Sequence, residues 1–246
     1  MPPVASSPSQ AALAGRIAAR LAEVRRRVAA ACERSGRDPS EVRLIAVTKT
    51  FPLEVIAAGI EAGLTDLGEN RVQELDEKAT AIPGEHQGGA VRWHLVGPLQ
   101  RNKARRAVEI ADAFHALDSD RLARELDKRA AAEGRILPCY VQVNVSGEET
   151  KSGVAPAGTH DFLARLAAFT HLEIVGLMTL AAPAETDDEL ETVVRPQLQT
   201  LARLAESFDG ADRPLRLSMG MSGDFEIAVE EGATDIRLGT ALFGER

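Results

Sequence analysis

The sequence predicts one α/β domain closed as a (β/α)8 TIM barrel, with an extra helix at its N-terminus. Three observations carry this expectation: eight short apolar runs, amphipathic stretches between successive runs, and a length of 246 residues, which suits one such barrel. Right-handed β-α connections repeated in this way wrap a parallel sheet in helices. An open doubly wound sheet is the alternative use of the same units.

Residues 1–8 read as a disordered N-terminus, leaving 9–246 to the barrel. The first helix shows in Leu13, Ile17, Leu21, Val24, Val28 and Ala31, which step by three or four and turn one apolar stripe inward. Arg16, Arg20, Glu23 and Arg25-Arg26-Arg27 occupy the opposite face, read as solvated. Beyond Gly36 the strand-like runs fall at 44–48, 65–68, 92–97, 113–117, 139–145, 173–179, 215–218 and 235–239. Helical spacing fills 53–62, 72–81, 103–111, 120–133, 159–169, 187–208 and 224–231. Segment 81–90, with Pro83, Gly84, Gly88 and Gly89, reads as a surface loop. Pro183, Pro196 and Pro214 fall in or near loops and mark no second domain.

A composition of 44% hydrophobic and 27% charged residues provides a substantial core. The net charge of −8 argues against a general nucleic-acid or anionic-membrane surface, so an anionic ligand has to be gripped locally. Cys32 and Cys139 form no C-x-x-C and read as buried thiols of a cytoplasmic protein. The start of the chain lacks a basic segment followed by an apolar core, and no run of eighteen apolar residues occurs. There is no H-E-x-x-H and no G-x-x-x-x-G-K-[ST], so zinc and nucleotide triphosphates lack support.

A barrel places functional groups at the C-terminal ends of its strands. There the sequence supplies Lys49, Asn70, His94, Gly97-Pro98-Leu99-Gln100, Asn144 and Met178-Thr179. A lysine ending a buried strand either snorkels to water or serves chemistry, because apolar surroundings favour the neutral amine that condenses with an aldehyde. The two richest clusters come last, in Ser218-Met219-Gly220-Met221-Ser222-Gly223-Asp224 and Arg237-Leu238-Gly239-Thr240. Ser222, Gly223, Gly239 and Thr240 are either ordinary caps and turns or a phosphate cup made of amides and hydroxyls. Both clusters beside a strand-end lysine favour the cup, and an aldehyde acceptor with a phosphate grip describes pyridoxal 5′-phosphate (PLP). Alternation puts Ile45, Val47 and Lys49 on one face, and Arg237 with Gly239 on another. Tyr140, Gln142 and Asn144 share a face of the fifth strand, with the inward set left open.

Five ordered motifs then carry a resemblance: Ala46-Val47-Thr48-Lys49, Gly68-Glu69-Asn70-Arg71-Val72-Gln73-Glu74, Trp93-His94-Leu95-Val96-Gly97-Pro98-Leu99-Gln100-Arg101-Asn102-Lys103, Leu217-Ser218-Met219-Gly220-Met221-Ser222 and Arg237-Leu238-Gly239-Thr240. Over nearly its whole length the chain resembles the pyridoxal phosphate homeostasis protein family, single-domain relatives of the N-terminal barrel of alanine racemase, a fold-type-III-like PLP barrel. The resemblance implies PLP held as a Schiff base on Lys49, with Asn70 and Met219 beside the ring. It further implies Arg237 at the pyridine nitrogen and Ser222, Gly239 and Thr240 at the phosphate. Glu149-Thr150-Lys151-Ser152-Gly153 also looks family-like, without a defined role.

PLP acts as an electron sink when its ring nitrogen is protonated, and an arginine there opposes that proton. Alanine racemase draws its second acid/base, a tyrosine, from an additional β domain. Here Tyr140 is the only tyrosine and lies at the start of a strand, which leaves His94 as the candidate base unless it is a hydrogen-bonded core residue. The leading expectation is a monomeric carrier that buffers PLP and delivers it to PLP-dependent apoenzymes. The alternatives are an amino-acid racemase using Lys49 and His94, and a Schiff-base aldolase acting on a sugar phosphate.

Overall fold

The structure, a computed structural model, describes residues 8–82, 91–148, 152–208 and 214–245. The expected disordered start therefore falls, apart from Pro8, outside the described residues, as do 83–90 of the expected surface loop and Glu149, Thr150 and Lys151. Eight parallel strands follow one another around the sheet: β1 (Arg43–Val47), β2 (Asp66–Glu69), β3 (Arg92–Leu95), β4 (Ala113–Leu117), β5 (Leu137–Gln142), β6 (Leu172–Met178), β7 (Arg216–Ser218) and β8 (Asp235–Leu238). Pairing of β8 back onto β1, with Ala46 opposite Leu238, closes the barrel and excludes the open sheet.

The helices are α1 (Pro8–Ser35), α2 (Leu53–Glu61), α3 (Val72–Ala81), α4 (Ala104–Ile110), α5 (Asp120–Ala132), α6 (Thr159–Leu166), the turn α7 (Asp187–Glu189), α8 (Arg195–Glu206), α9 (Phe225–Glu230) and α10 (Thr240–Phe243). The apolar stripe of α1 buries Ile17, Leu21, Val24 and Ala31 against α2, α9 and α10. Its basic face is only partly solvated. Arg27 pairs with Glu226 at 2.5 Å while covering the Phe225 ring, and Arg34 pairs with Glu230 at 2.6 Å, so α1 docks through charge as well as apolar surface. The stretch 187–208 also departs from a plain helix. Pro196 lies inside it rather than in a loop, and the wider π-helical turn Leu190–Val194 just ahead accommodates the backbone that a proline cannot hydrogen-bond.

Strand alternation sorts the core into two regions. Leu67, Trp93, Leu95, Phe114, Val141, Leu177 and Ile236 are buried in the continuous apolar core between the barrel and its helices, while both thiols are free and buried. The barrel interior is polar. At its N-terminal end Asp66 meets Arg92 at 2.8 Å and Arg43 at 3.7 Å, and Asp235 meets Arg216 at 2.9 Å and Arg43 at 3.4 Å. Three arginines thus surround two buried carboxylates, which satisfies the requirement that buried charge be paired. No described helix is long and apolar enough to cross a membrane.

Candidate functional site

At the other end of the barrel, a cavity of about 600 Å³ opens among the loops that follow the strands, a size typical of small-molecule sites. It brings together Lys49, Asn70, Ser222, Gly223, Arg237, Gly239 and Thr240, every residue the sequence proposed for the cofactor except Met219. Lys49 is half-buried in the turn after β1, above Val47, and its amine has no hydrogen bond or ion pair among the described residues. Asn70 is brought in by close packing. A Cβ on Gly97 would stand 2.3 Å from the Asn70 carbonyl oxygen, so only glycine lets the loops after β2 and β3 approach so closely.

On the far side, the Ser222 hydroxyl accepts hydrogen bonds from the amides of Gly239 at 3.3 Å and Ala241 at 3.2 Å, tying the loop after β7 to the start of α10. The Ser222 and Thr240 hydroxyls and the chain at Gly223 and Gly239 are thereby gathered along one wall of the cavity. Met219 differs from expectation: it is wholly buried in the apolar core and does not line the cavity. Alternation explains this, since Ser218 faces the interior and Met219 therefore faces the helices. Gly220, at φ +94° and with room for no Cβ beside Ala228, then turns the chain, and the cavity position goes to Met221.

Arg237 forms the floor. One terminal nitrogen donates to the Ser218 hydroxyl and the other to the Thr179 carbonyl, both at 2.7 Å. Burial lowers its pKa to about 10 against the opposing pull of Asp224 and Asp235, and at neutral pH it remains a cation. Beneath it runs a chain of polar side chains. Ser218 meets His115 Nδ1 at 2.9 Å, His115 Nε2 meets His94 Nδ1 at 2.9 Å, and His94 Nε2 meets Asp66 at 3.0 Å. When His94 is neutral, one set of tautomers pairs every atom: Arg237 donates to Ser218, Ser218 to His115, His115 to His94, and His94 to Asp66. Burial, and then the charges of His94 and Arg237, push His115 well below the usual histidine range, which keeps that ring neutral.

This chain bears on the two readings of His94, candidate base or core residue. The ring is joined to Arg237 through His115 and Ser218, is bonded at both nitrogens, and does not line the cavity. It is the hydrogen-bonded core residue. The sequence reading missed His115, Asp66, Ser218 and the Tyr140–Asp235–Arg216 group as a connected interior. The available signal was the alternation of polar residues in Asp66-x-Gly68, Arg92-x-His94 and Asp235-x-Arg237. Gln142 and Asn144 line the cavity and Tyr140 bonds Asp235 across the barrel, which settles the inward face of β5. No cluster of potential metal ligands occurs among the described residues.

A consequence follows for acid stability. Burial disfavours the charge on Asp66, but the hydrogen bonds and charges of His94 and Arg92 outweigh it and lower its pKa to about 2. A depressed carboxylate contributes stability that is full above its unfolded pKa, near 4, and is lost as pH falls toward about 2. Urea midpoints measured from pH 5 to 2 should fall for the natural chain and fall less steeply for Asp66→Asn. Parallel curves would remove Asp66 from the explanation.

Comparison with known proteins places this geometry. A family model described as the alanine racemase N-terminal domain matches residues 19–246. The chain belongs to that family. It is 38% identical to the pyridoxal phosphate homeostasis protein of Aquifex aeolicus, over 92% of this chain and 97% of that one. It is 39% identical to the protein of the same name from Escherichia coli K12, over 94% and 97%. Among solved structures, PipY of Synechococcus elongatus PCC7942 with PLP bound superposes with a TM-score of 0.75 at 38% identity, covering 93% of this chain and all of PipY.

Proposed function

We propose that this protein binds PLP reversibly as a Schiff base on Lys49 and serves PLP homeostasis, buffering the reactive aldehyde and delivering it to apoenzymes. The observation that carries the reading is one cavity with an amine unpaired among the described residues on one side, an anion cup on the other and a fixed cation at its floor. PLP offers an aldehyde, a phosphate and a ring nitrogen, and each has a matching group here. Relatives named for PLP homeostasis and the PLP-bound PipY support the same assignment. When bound, PLP joins its aldehyde carbon to the Lys49 nitrogen with loss of one water, and hydrolysis releases it.

The chain's own residues favour holding over turnover. Arg237, a cation pinned at both terminal nitrogens, would hold the ring nitrogen of PLP and would oppose its protonation, which would weaken carbanion stabilisation. Among the described residues lining the cavity, Lys49 and Arg237 are the titratable ones. A monomer working in the cytoplasm completes the proposal. The test is borohydride reduction of protein incubated with PLP, followed by peptide mass spectrometry. The reading requires a single adduct on Lys49; no adduct, or one spread over surface lysines, defeats it.

The phosphate cup gives a separate expectation. Ser222→Ala should weaken PLP binding by about 1 kcal/mol, roughly fivefold, because two amides lose their organising acceptor. Binding of pyridoxal, which lacks the phosphate, should change little. Equal losses for the two ligands in a fluorescence titration would place Ser222 away from the phosphate.

A further inference from the structure

The motif Glu69-Asn70-Arg71-Val72-Gln73-Glu74 places only Asn70 in the cavity, yet its two glutamates, together with Lys78, reach the turn that carries Lys49. The residue before Lys49 is held twice. Thr48 donates its hydroxyl to Glu69 Oε1 at 2.6 Å, and its carbonyl accepts from Lys78 Nζ at 2.7 Å. The residue after Lys49 is held as well, since the Thr50 amide donates to Glu74 Oε2 at 2.8 Å. Lys78 joins the two sides, reaching Glu69 at 2.6 Å and Glu74 at 3.5 Å. Its three donors thus have three acceptors, one of them the backbone beside Lys49.

Two features show that this arrangement does more than fill space. Thr50 has φ +66°, the only described non-glycine residue at positive φ, and a β-branched side chain is strained there. The Glu74 carboxylate holds that conformation, and the Thr50 amide is the chief cause of its lowered pKa, ahead of the Lys78 charge. Glu69 is fully buried and uses one oxygen for both Thr48 and Lys78, leaving Oε2 without a partner among the described residues. Such an imperfect buried polar group is costly to retain in a fold that could fill the space with apolar atoms.

We infer that Glu69, Glu74 and Lys78 are positioning residues that clamp the peptide units on both sides of Lys49 and so fix the direction of its amine into the cavity. The inference rests on Lys49 being the group that captures PLP. Glu69, Glu74 and Lys78 do not line the cavity themselves, and their side chains touch the backbone on both sides of Lys49. A fixed amine meets an incoming aldehyde without first losing conformational freedom, which speeds capture.

The experiment compares Glu74→Ala, Glu74→Gln and Thr50→Gly with the natural chain. Rates of PLP capture and release are read by stopped-flow absorbance, and melting temperature is read alongside. Glu74→Ala should slow capture by about tenfold or more, as misplacing a reacting group does. Glu74→Gln, which keeps an oxygen acceptor for the Thr50 amide, should recover most of that rate. Thr50→Gly relieves the strain and loosens the turn, so it should slow capture without lowering the melting temperature. A loss of stability alone cannot produce that pattern.

Labelling of Lys49 by trinitrobenzenesulfonate, read by peptide mass spectrometry without PLP, gives a second measure. Its rate relative to an exposed lysine should change in Glu74→Ala and Thr50→Gly. Capture and labelling at natural rates in both variants would overturn the clamp. Failure of the natural chain to take PLP on Lys49 would defeat the functional reading instead, and the labelling rates would still decide the clamp.

Discussion

Lys49→Ala should abolish covalent capture of PLP: no visible absorbance band beyond that of free PLP, and no adduct after borohydride. The effect is total rather than graded, because the bond to the aldehyde carbon needs a primary amine and no other lysine lines the cavity among the described residues. Stability should hardly move. The amine has no hydrogen bond or ion pair among the described residues, so truncation removes no paired charge, and a melting temperature within about 2 °C of the natural chain is expected. Lys49→Arg sharpens the test, since it keeps a cation at this position but forms no Schiff base. Undiminished absorbance in either variant would transfer the role to another residue.

Asp235→Ala should be the most damaging single change to the fold. This fully buried carboxylate accepts from Arg216 through both oxygens, at 2.9 and 3.0 Å, and also from Tyr140 at 3.0 Å and Thr234 at 2.7 Å, with Arg43 at 3.4 Å. Its removal leaves arginines without their counter-ion inside the barrel, and breaking such a group costs about 3–5 kcal/mol. Urea unfolding at neutral pH measures the loss. A cost below about 1 kcal/mol would mean that water reaches Arg216 and Arg43 freely and that the group is not sealed. Because Tyr140 stacks on His115 at 4.1 Å, Arg237 should also lose part of its support, seen as weaker PLP binding in whatever fraction stays folded.

The fold was legible because period-2 and period-3.6 apolar patterns both reflect burial, and burial is what a barrel wrapped in helices organises. That Lys49, Ser222, Gly239 and Thr240 line one cavity was legible for a related reason, since strand-end position in a barrel is a statement about place as well as residue type. Met219 was misplaced because a bend at Gly220 changes which residue meets the cavity, and the φ of a glycine is not written in its neighbours. His94 stayed open between base and core residue because a strand-end histidine looks alike whether it faces ligand or core; what separates the cases is His115, a partner 21 residues away. Pro196 looked like a loop residue because a π-helical turn that tolerates proline leaves no simple spacing signal. Residues that act through long-range pairing, such as Asp66 with Arg92 or Tyr140 with Asp235, were the hardest to read, because charge and burial together become visible only once the barrel closes.

The long first helix lies across both α9 and α10, the two elements that begin just after Ser222-Gly223 and Gly239, and Arg20 sits against the backbone at Gly244. It therefore acts as a strap over the seam where the ring of strands joins. Anything that shifted this strap would move the loops carrying Ser222 and Thr240 without entering the pocket, which gives the outer surface of the molecule a mechanical route to its cavity.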